Sequence, residues 1–489
     1  MNRPRTNEDR RTYDVIVLGA GPTGENVAER TRAAGLSTVI VERELLGGEC
    51  SYWACEPSKA LLRPVLARAD ARRVPGLRQA VGGPLDVAAV LAHRDEIVFH
   101  WKDDSQVGWL DSVSVDLIRG HARLDGPRQV AVQTPDGDTV LLTARHAVAV
   151  CTGTAAAVPE IPGLDSVRPW TSREATSAGR VPGRLAVVGG GVVAVEMATA
   201  WQALGSQVTV LVRGDAGLLA RMEPFAGHMV ADGLREAGVD VRLGASVASL
   251  AREDGEVRIA LADGGELAAD EILFATGRDP RTADLGLETV GLTPGDWLTA
   301  DDTCRVTAVA DGWLYAVGDV NHRVLLTHQG KYQARIAGAA IGARARGEQA
   351  DETRWGAHAA TADIAAVPQV VFTDPEVAAV GLTTREAERA GRRVEVVDYD
   401  IAGVAGAHQY ADGYRGRARL LVDMDRGTVA GVTFVGPGVG ELLYSATVAV
   451  VSEVPLERLW HAVPAFPTIS EVWLRLLEAH RDRQQPGPS

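Results

Sequence analysis

The sequence predicts an α/β chain made of two βαβ units followed by an α+β C-terminal region. Three observations predict it. A glycine-rich turn joins an apolar strand to an amphipathic helix in "YDVIVLGAGPTGENVAERTRAAGLSTVIVERE". The same pattern returns about 170 residues later in "GRLAVVGGGVVAVEMATAWQALGSQVTVLVR", too long a period for a solenoid repeat. Beyond residue 361, "QVVFTDPEVAAVGL", "ARLLVDMDRGTVAGVTFV" and "ELLYSATVAVVSEV" read as strands and helices with no such turn. At 489 residues the chain exceeds what one hydrophobic core sustains, so several domains are expected.

In the first unit the turn glycines are Gly19, Gly21 and Gly24. A tight turn needs the first, close approach of a pyrophosphate to the backbone needs the second, and helix-to-strand packing needs the third. The helix N-terminus then offers amides to the phosphates, and Glu42 at the tip of the next strand is placed to accept from ribose hydroxyls. The second unit carries Gly189, Gly191 and Ala194, but its second strand ends in Arg213, with Arg221 close behind. An arginine there favours the 2′-phosphate of NADP over the free hydroxyl of NAD, so NADPH is expected, with NADH possible. Both units therefore read as Rossmann-like dinucleotide-binding domains. A third strand-like run, "WLYAVGD", ends at Asp319 and leads into the helix pattern "QGKYQARIAGAAIGARA". The polar, Ala/Gly-rich residues 347–363 suit a domain boundary.

Composition removes several classes of function. Hydrophobic residues make up 46% and charged residues 23%, the balance of a soluble globular protein. A formal charge of −14 argues against nucleic acid, whose phosphates must be met by basic patches. No apolar run approaches the roughly 18 residues that span a bilayer, and the opening "MNRPRTNEDRRTYD" has no apolar signal-peptide core, so a cytoplasmic location without a membrane partner is expected. Residues 1–12 and 481–489 are polar and expected to be disordered.

Two of the four cysteines stand close together in "GGECSYWACEPSK", followed by one of three lysines. In a reducing compartment such a pair points to redox or metal chemistry rather than a disulfide scaffold. Zinc lacks a second cysteine pair or clustered histidines to complete four ligands. On a regular helix, positions i and i+5 lie about 8 to 9 Å apart, beyond the roughly 7 Å reach of a disulfide. A bridge between Cys50 and Cys55 therefore demands a distorted turn, for which Gly47 and Gly48 stand ready, and a helix N-terminus there would lower a thiol pKa. Lys59, four residues past Cys55, shares its helix face.

Taken together, "GAGPTG", "GGECSYWACEPSK", "CTGTAAAVPEIPG", "GGGVVAVEMA", "LFATGRDPRT", "LYAVGDV", "VVFTDPEVAAVGL" and "FPTISE" resemble, in content and order, the pyridine nucleotide-disulfide oxidoreductases, which include glutathione reductase, dihydrolipoamide dehydrogenase and mercuric reductase. The resemblance implies an FAD-binding domain in two segments, 13–160 and 284–358, an NAD(P)H-binding domain at 161–283, and a C-terminal dimerisation domain at 359–480 in a homodimer. It assigns Glu42 to the adenosine ribose, Asp319 after Gly318 to a flavin ribitol hydroxyl, and Thr152 and Gly153 to the phosphate side. Gly48, Gly277 and Arg278 fall in the same cofactor-binding motifs. It makes Lys59 and Glu196 the ion pair beside the reactive flavin nitrogen, Cys55 the thiol facing the flavin, and Cys50 the thiol that meets an acceptor. Electrons would run from NADPH through FAD to the Cys50–Cys55 disulfide and on to a disulfide or other sulfur-containing small molecule. Cys151 and Cys304 are expected to be buried bystanders.

Four departures bear on the acceptor. The family's C-terminal acid/base histidine, oriented by a glutamate, is replaced: Glu471 is kept, but Phe466 stands in the histidine's place. A lost general acid costs dithiol exchange roughly 10² to 10⁴ in rate, leaving His461 or His328 as replacements. Val192 stands where glutathione reductase has a tyrosine over the nicotinamide, and Tyr52 and Trp53 lie between the cysteines, either walling the disulfide or packing the core. No cysteine follows Cys304, so mercuric reductase's C-terminal pair is absent. The competing readings are a flavin-dependent quinone reductase, oxidase or small-molecule dehydrogenase that does not turn over the disulfide, and a flavin-loaded scaffold.

Overall fold

The computed structural model describes residues 9–484, arranged as two compact units. The first comprises the residues up to Pro57, Asp95–Ala156 and Arg278–Ile364. Its main sheet contains β1 (Asp9–Leu18), β2 (Thr38–Glu42), β3 (Asp116–Arg119), β4 (His121–Leu124), β5 (Gln129–Gln133) and β6 (Thr139–Val150), in the order β3-β2-β1-β6-β5-β4. The short strand Leu314–Ala316 lies parallel to β6. β1 runs parallel to both β2 and β6, and Val15 to Leu18 are buried on both faces, as a central parallel strand requires. Helix α1 (Pro22–Ala33) turns Val27 and Ala28 inward, and its Arg30 backs onto Gly338 of the helix Thr327–Ala345, where a Cβ would stand 2.5 Å from the Arg30 Cβ. Two further helices follow β2: α2 (Gly48–Trp53) and α3 (Cys55–Arg72).

The second unit comprises Ser58–Arg94, Ala157–Gly277 and the residues from Ala365. It holds a four-stranded parallel sheet of Asp240–Leu243, Gln207–Val212, Arg184–Val188 and Glu271–Phe274, in that order, with a three-stranded antiparallel sheet over Val247–Ala269. Helix Val192–Ala203 follows the central strand Arg184–Val188, and its face from Ala194 to Trp201 is wholly buried. From Gln369 a five-stranded antiparallel sheet runs in the order Gln369–Val371, Glu376–Gly381, Thr428–Gly436, Arg417–Asp423, Val394–Asp400. The helices Leu443–Val451 and Val472–Gln484 pack on it through Leu443, Ala446, Val472 and Leu476. The α/β expectation, with two Rossmann-like sheets and an α+β C-terminal region, holds.

Both expected disordered ends need correction where the structure describes them. Residues 9–12 are strand: Asp9 to Thr12 pair in register with Val140 to Thr143 of β6, so backbone hydrogen bonds order a segment whose side chains stay exposed. Residues 481–484 complete the last helix, tied down by Arg483 donating to the Val396 carbonyl at 2.6 Å and Gln484 donating to Glu395 at 3.0 Å. Residues 1–8 and 485–489 lie outside the described residues.

One buried carboxylate organises the first unit. The side chain of Asp363 is 0% exposed and accepts from Gln329 Nε2 at 3.0 Å, Gln333 Nε2 at 2.9 Å and Arg323 Nε at 2.9 Å. Gln333 Oε1 in turn accepts from the Gly318 amide at 2.8 Å and from Asn321 Nδ2 at 2.7 Å. Burial pushes the Asp363 carboxyl up and the Arg323 guanidinium opposes it. Asp363→Ala removes one of the two carboxylates that meet Arg323, which keeps Asp302 at 2.7 Å, and leaves two buried amides without their acceptor, and is expected to cost about 2 to 5 kcal/mol in thermal or denaturant unfolding. Asp363→Asn, which keeps an acceptor, is expected to cost less.

Candidate active site

The first glycine turn is built as its spacing requires. Gly19 has φ +96°, and a Cβ there would stand 2.6 Å from the Cys151 carbonyl oxygen. At Gly24 a Cβ would meet the Gly19 carbonyl oxygen at 1.9 Å, so helix and turn touch backbone to backbone. At Gly21 a Cβ would meet nothing within 4 Å on its own account, yet Gly48 approaches so closely that a Cβ on Gly48 would lie 2.9 Å from the Gly21 Cα. The cysteine-bearing segment is thus seated on the glycine turn. Glu42 accepts from the Ala20 amide at 2.7 Å and from the Glu44 amide at 2.7 Å, fixing its carboxylate at the end of β2. Thr152 Oγ1 is buried without a hydrogen-bond partner among the described residues, and at Gly153 a Cβ would meet nothing within 4 Å. Asp319 accepts from Thr154 Oγ1 at 2.9 Å and lies 3.9 Å from Arg278 Nε; burial raises its pKa and Arg278 opposes the rise. Arg278 also donates to Thr154 Oγ1 and to its carbonyl.

The cysteines sit on either side of a helix break. Cys50 is in the first turn of α2 and Cys55 begins α3; Ala54 between them has φ −140° and ψ −96°, outside helical geometry. A distorted turn such as a bridge would demand is present, but it lies at Ala54 between the cysteines rather than at Gly47 and Gly48 before them. No disulfide joins them in this structure. Thr327 Oγ1, from the first residue of the helix Thr327–Ala345, donates to Cys50 Sγ at 3.2 Å and lies 3.3 Å from Cys55 Sγ. A hydrogen bond with Cys55, then burial, push the Cys50 thiol pKa up, while Thr327 pulls it down. Glu49, beside Cys50, accepts from Arg281 Nη2 at 2.7 Å, and Arg281 Nε donates to the Thr154 carbonyl at 3.0 Å. Of the aromatic pair, Tyr52 is core: fully buried, with its hydroxyl on the Lys102 carbonyl at 3.3 Å and its own carbonyl accepting from Trp101 Nε1 at 3.2 Å. Cys151 and Cys304 are buried, and burial pushes both thiols up.

In the second unit, Lys59 Nζ meets Glu196 Oε2 at 2.7 Å, with the Glu196 side chain 4% exposed. The other oxygen of Glu196 accepts from the Phe372 amide at 3.0 Å, and the Lys59 ammonium lies 5.0 Å from the Phe372 ring centroid. The second glycine turn repeats the first: a Cβ at Gly189 would stand 2.3 Å from the Ala275 carbonyl oxygen, one at Gly191 would meet nothing within 4 Å, and Ala194 is buried. Val192 opens the helix that follows. Arg213 is exposed just past the strand Gln207–Val212, and Arg221 is exposed nearby; Gly277 ends the segment Ala157–Gly277 of this unit. Near the C-terminus, Phe466 is 76% exposed. Glu471 is buried and accepts from Arg475 Nη2 at 2.6 Å, while its second oxygen has no partner among the described residues. His461 is exposed five residues before Phe466.

Across residues 13–338 the chain matches the model of the pyridine nucleotide-disulphide oxidoreductases, and across 367–477 the dimerisation domain of the same family. The chain belongs to that family. Its relatives include a mercuric reductase from Acidithiobacillus ferrooxidans, 32% identical over 96% of this chain and 82% of the relative, and dihydrolipoyl dehydrogenase 3 from Pseudomonas aeruginosa, 34% identical over 94% and 96%. In fold it is similar to the HOCl-induced flavoprotein disulfide reductase RclA from Escherichia coli, solved as a Cu(II) complex, with a TM-score of 0.81 and 24% identity over 96% of this chain and 99% of that one. Members of this family are FAD-dependent oxidoreductases that use pyridine nucleotides. The residues present fit FAD: the open face at Gly21, the unpartnered Thr152 hydroxyl and the fixed carboxylates of Glu42 and Asp319 are what a dinucleotide calls for. No helix among the described residues is long and apolar enough to cross a membrane.

Sequence reasoning missed Thr327, the Glu49 and Arg281 pair, and Glu25. Thr327 gives no signal beyond a hydroxyl at the start of a helix pattern, beside His328, which drew attention instead. Glu25, on α1, has one buried oxygen with no partner among the described residues, and its pKa is pushed up to about 7 by burial and, less, by Glu42, against Lys331. In the flavin-free protein, the folded state holds a proton between the ordinary glutamate pKa and about 7 that the unfolded chain has released. That stabilisation is complete below the unfolded pKa and is lost as pH rises through the folded one, on the order of 3 kcal/mol. Urea unfolding from about pH 5 to about pH 8 is expected to show the decline, and Glu25→Gln to flatten it.

Proposed function

We propose that the protein passes electrons from NADPH, through FAD, to the Cys50 and Cys55 pair and on to a disulfide or other sulfur-containing small molecule. The observation that carries this reading is the thiol pair astride the Ala54 break, seated on the first glycine turn and bridged by one hydroxyl. FAD, when bound, supplies a two-electron acceptor for the nicotinamide hydride. Gly19, Gly21, Gly24, Glu42, Gly48, Thr152, Gly153, Asp319 and Arg278 would hold it. Gly189, Gly191, Ala194, Arg213 and Arg221 would hold NADPH. Lys59 keeps a positive charge one helical turn past Cys55, fixed by Glu196, which is itself oriented by the Phe372 amide. Cys55 is assigned the inner thiol and Cys50 the thiol that attacks the acceptor. The working form is a homodimer, in keeping with the matched dimerisation domain, and its location is cytoplasmic.

A second reading is favoured by Phe466, which offers no proton where relatives of the disulfide-reducing type carry a histidine, while Glu471 is turned to Arg475. In it, electrons leave the flavin directly to a quinone or oxygen and the thiols do not turn over. Anaerobic reduction with one equivalent of NADPH separates the two. The first reading expects a long-wavelength thiolate-to-flavin absorbance band and two newly titratable thiols, with the band lost in Cys55→Ser. Unchanged turnover of the true acceptor in that variant would sink it. A screen of oxidised low-molecular-weight thiols against quinones identifies the acceptor class. On the nucleotide side, Arg213→Ala is expected to raise KM for NADPH by about tenfold, the worth of one charge-assisted contact, and to leave NADH unchanged. An NADH preference in the wild type would reverse the assignment.

A further inference from the structure

We propose that Thr327 is the proton relay between the two thiols, moving the negative charge from Cys55 to Cys50 so that Cys50 attacks as a thiolate without an external base. This rests on the reading that the pair turns over. Its basis is a juxtaposition: one hydroxyl lies 3.2 Å from Cys50 Sγ and 3.3 Å from Cys55 Sγ, and a hydroxyl both donates and accepts. Two-electron reduction of the pair leaves one thiol and one thiolate. The Cys50 S–H bond then breaks and its proton passes to Thr327 Oγ1, while the Thr327 O–H bond breaks and its proton passes to the Cys55 thiolate. The products are a Cys50 thiolate and a Cys55 thiol; no electron moves, and the hydroxyl is restored with its hydrogen bond reversed.

The surroundings supply the need and the rigidity. The hydrogen bond with Cys55, burial and the nearby Glu56 all oppose ionisation of Cys50, and Thr327 is the contact that favours it. A direct exchange between the sulfurs is a parallel route, and both routes need Cys50 in place, so the proton transfer precedes any movement of Cys50 toward an acceptor. Thr327 is held from behind, since Gln329 and Gln333, two and six residues further along its helix, are both fastened to Asp363. Its hydroxyl therefore stays between the sulfurs rather than following either of them.

The test uses the FAD-loaded protein reduced with dithiothreitol, and measures iodoacetamide labelling of each cysteine against pH, with the sites resolved by peptide fragmentation. Thr327→Val, which keeps the shape and loses the hydroxyl, is expected to slow Cys50 labelling about tenfold near pH 7, by raising its apparent pKa about one unit. Thr327→Ser is expected to restore it, and Thr327→Ala serves should the valine variant fail to fold. A Cys50 profile unchanged in the valine or alanine variant, or unrestored by serine, overturns the relay. Failure of the electron route is separate: it shows as no thiols freed by NADPH in the wild type.

Discussion

The geometry of the thiol site depends on a carboxylate that touches neither sulfur. Asp363, itself fully buried, gathers Arg323, Gln329 and Gln333 where an unmet charge would be expensive and a fully met one is stiff. Through Gln333 it fixes the Gly318 amide, and so the turn that presents Asp319; through both glutamines it fixes the start of the helix whose first residue is Thr327. Two features far apart in sequence are thereby set by one buried group.

Charge in the proposed cofactor cradle follows a similar economy. Glu25, Glu42, Glu49 and Asp319 bring several carboxylates to a fold that binds phosphates, an arrangement that would repel its ligand if each were left bare. Instead Glu42 is met by two backbone amides, Glu49 by Arg281, and Asp319 by Thr154 with Arg278 behind it. Glu25, which faces Lys331 but has an unpaired oxygen, retains its proton to about pH 7. Each carboxylate is thus either paired or discharged, which leaves the helix amides of the glycine turn as the positive end of the site.

What was legible in the sequence was what local sterics dictate. Gly19 and Gly24 are forced by backbone contacts of 2.6 and 1.9 Å that no side chain tolerates, so their spacing announces the turn. A break between Cys50 and Cys55 is what helix dimensions require if the two are to be bridged, and Ala54 supplies it. What was not legible depends on partners distant along the chain. Thr327 meets Cys55 across 272 positions, and Arg281 meets Glu49 across 232, with no periodicity to link them. The same cause explains the ends: β1 begins early because β6 accepts it through main-chain groups, which composition does not report, and the last helix runs on because Glu395 catches it.

The interruption at Ala54 has a mechanical meaning. Since α2 and α3 are separate helices of six and eighteen residues, the short one carrying Cys50 is not part of the ladder that begins at Cys55. On the proposed reading, a swing of Cys50 toward an incoming molecule would bend the chain at one residue and leave α3 wound. In the proposed electron route the Cys50 sulfur would be the moving arm and the Cys55 sulfur the fixed post.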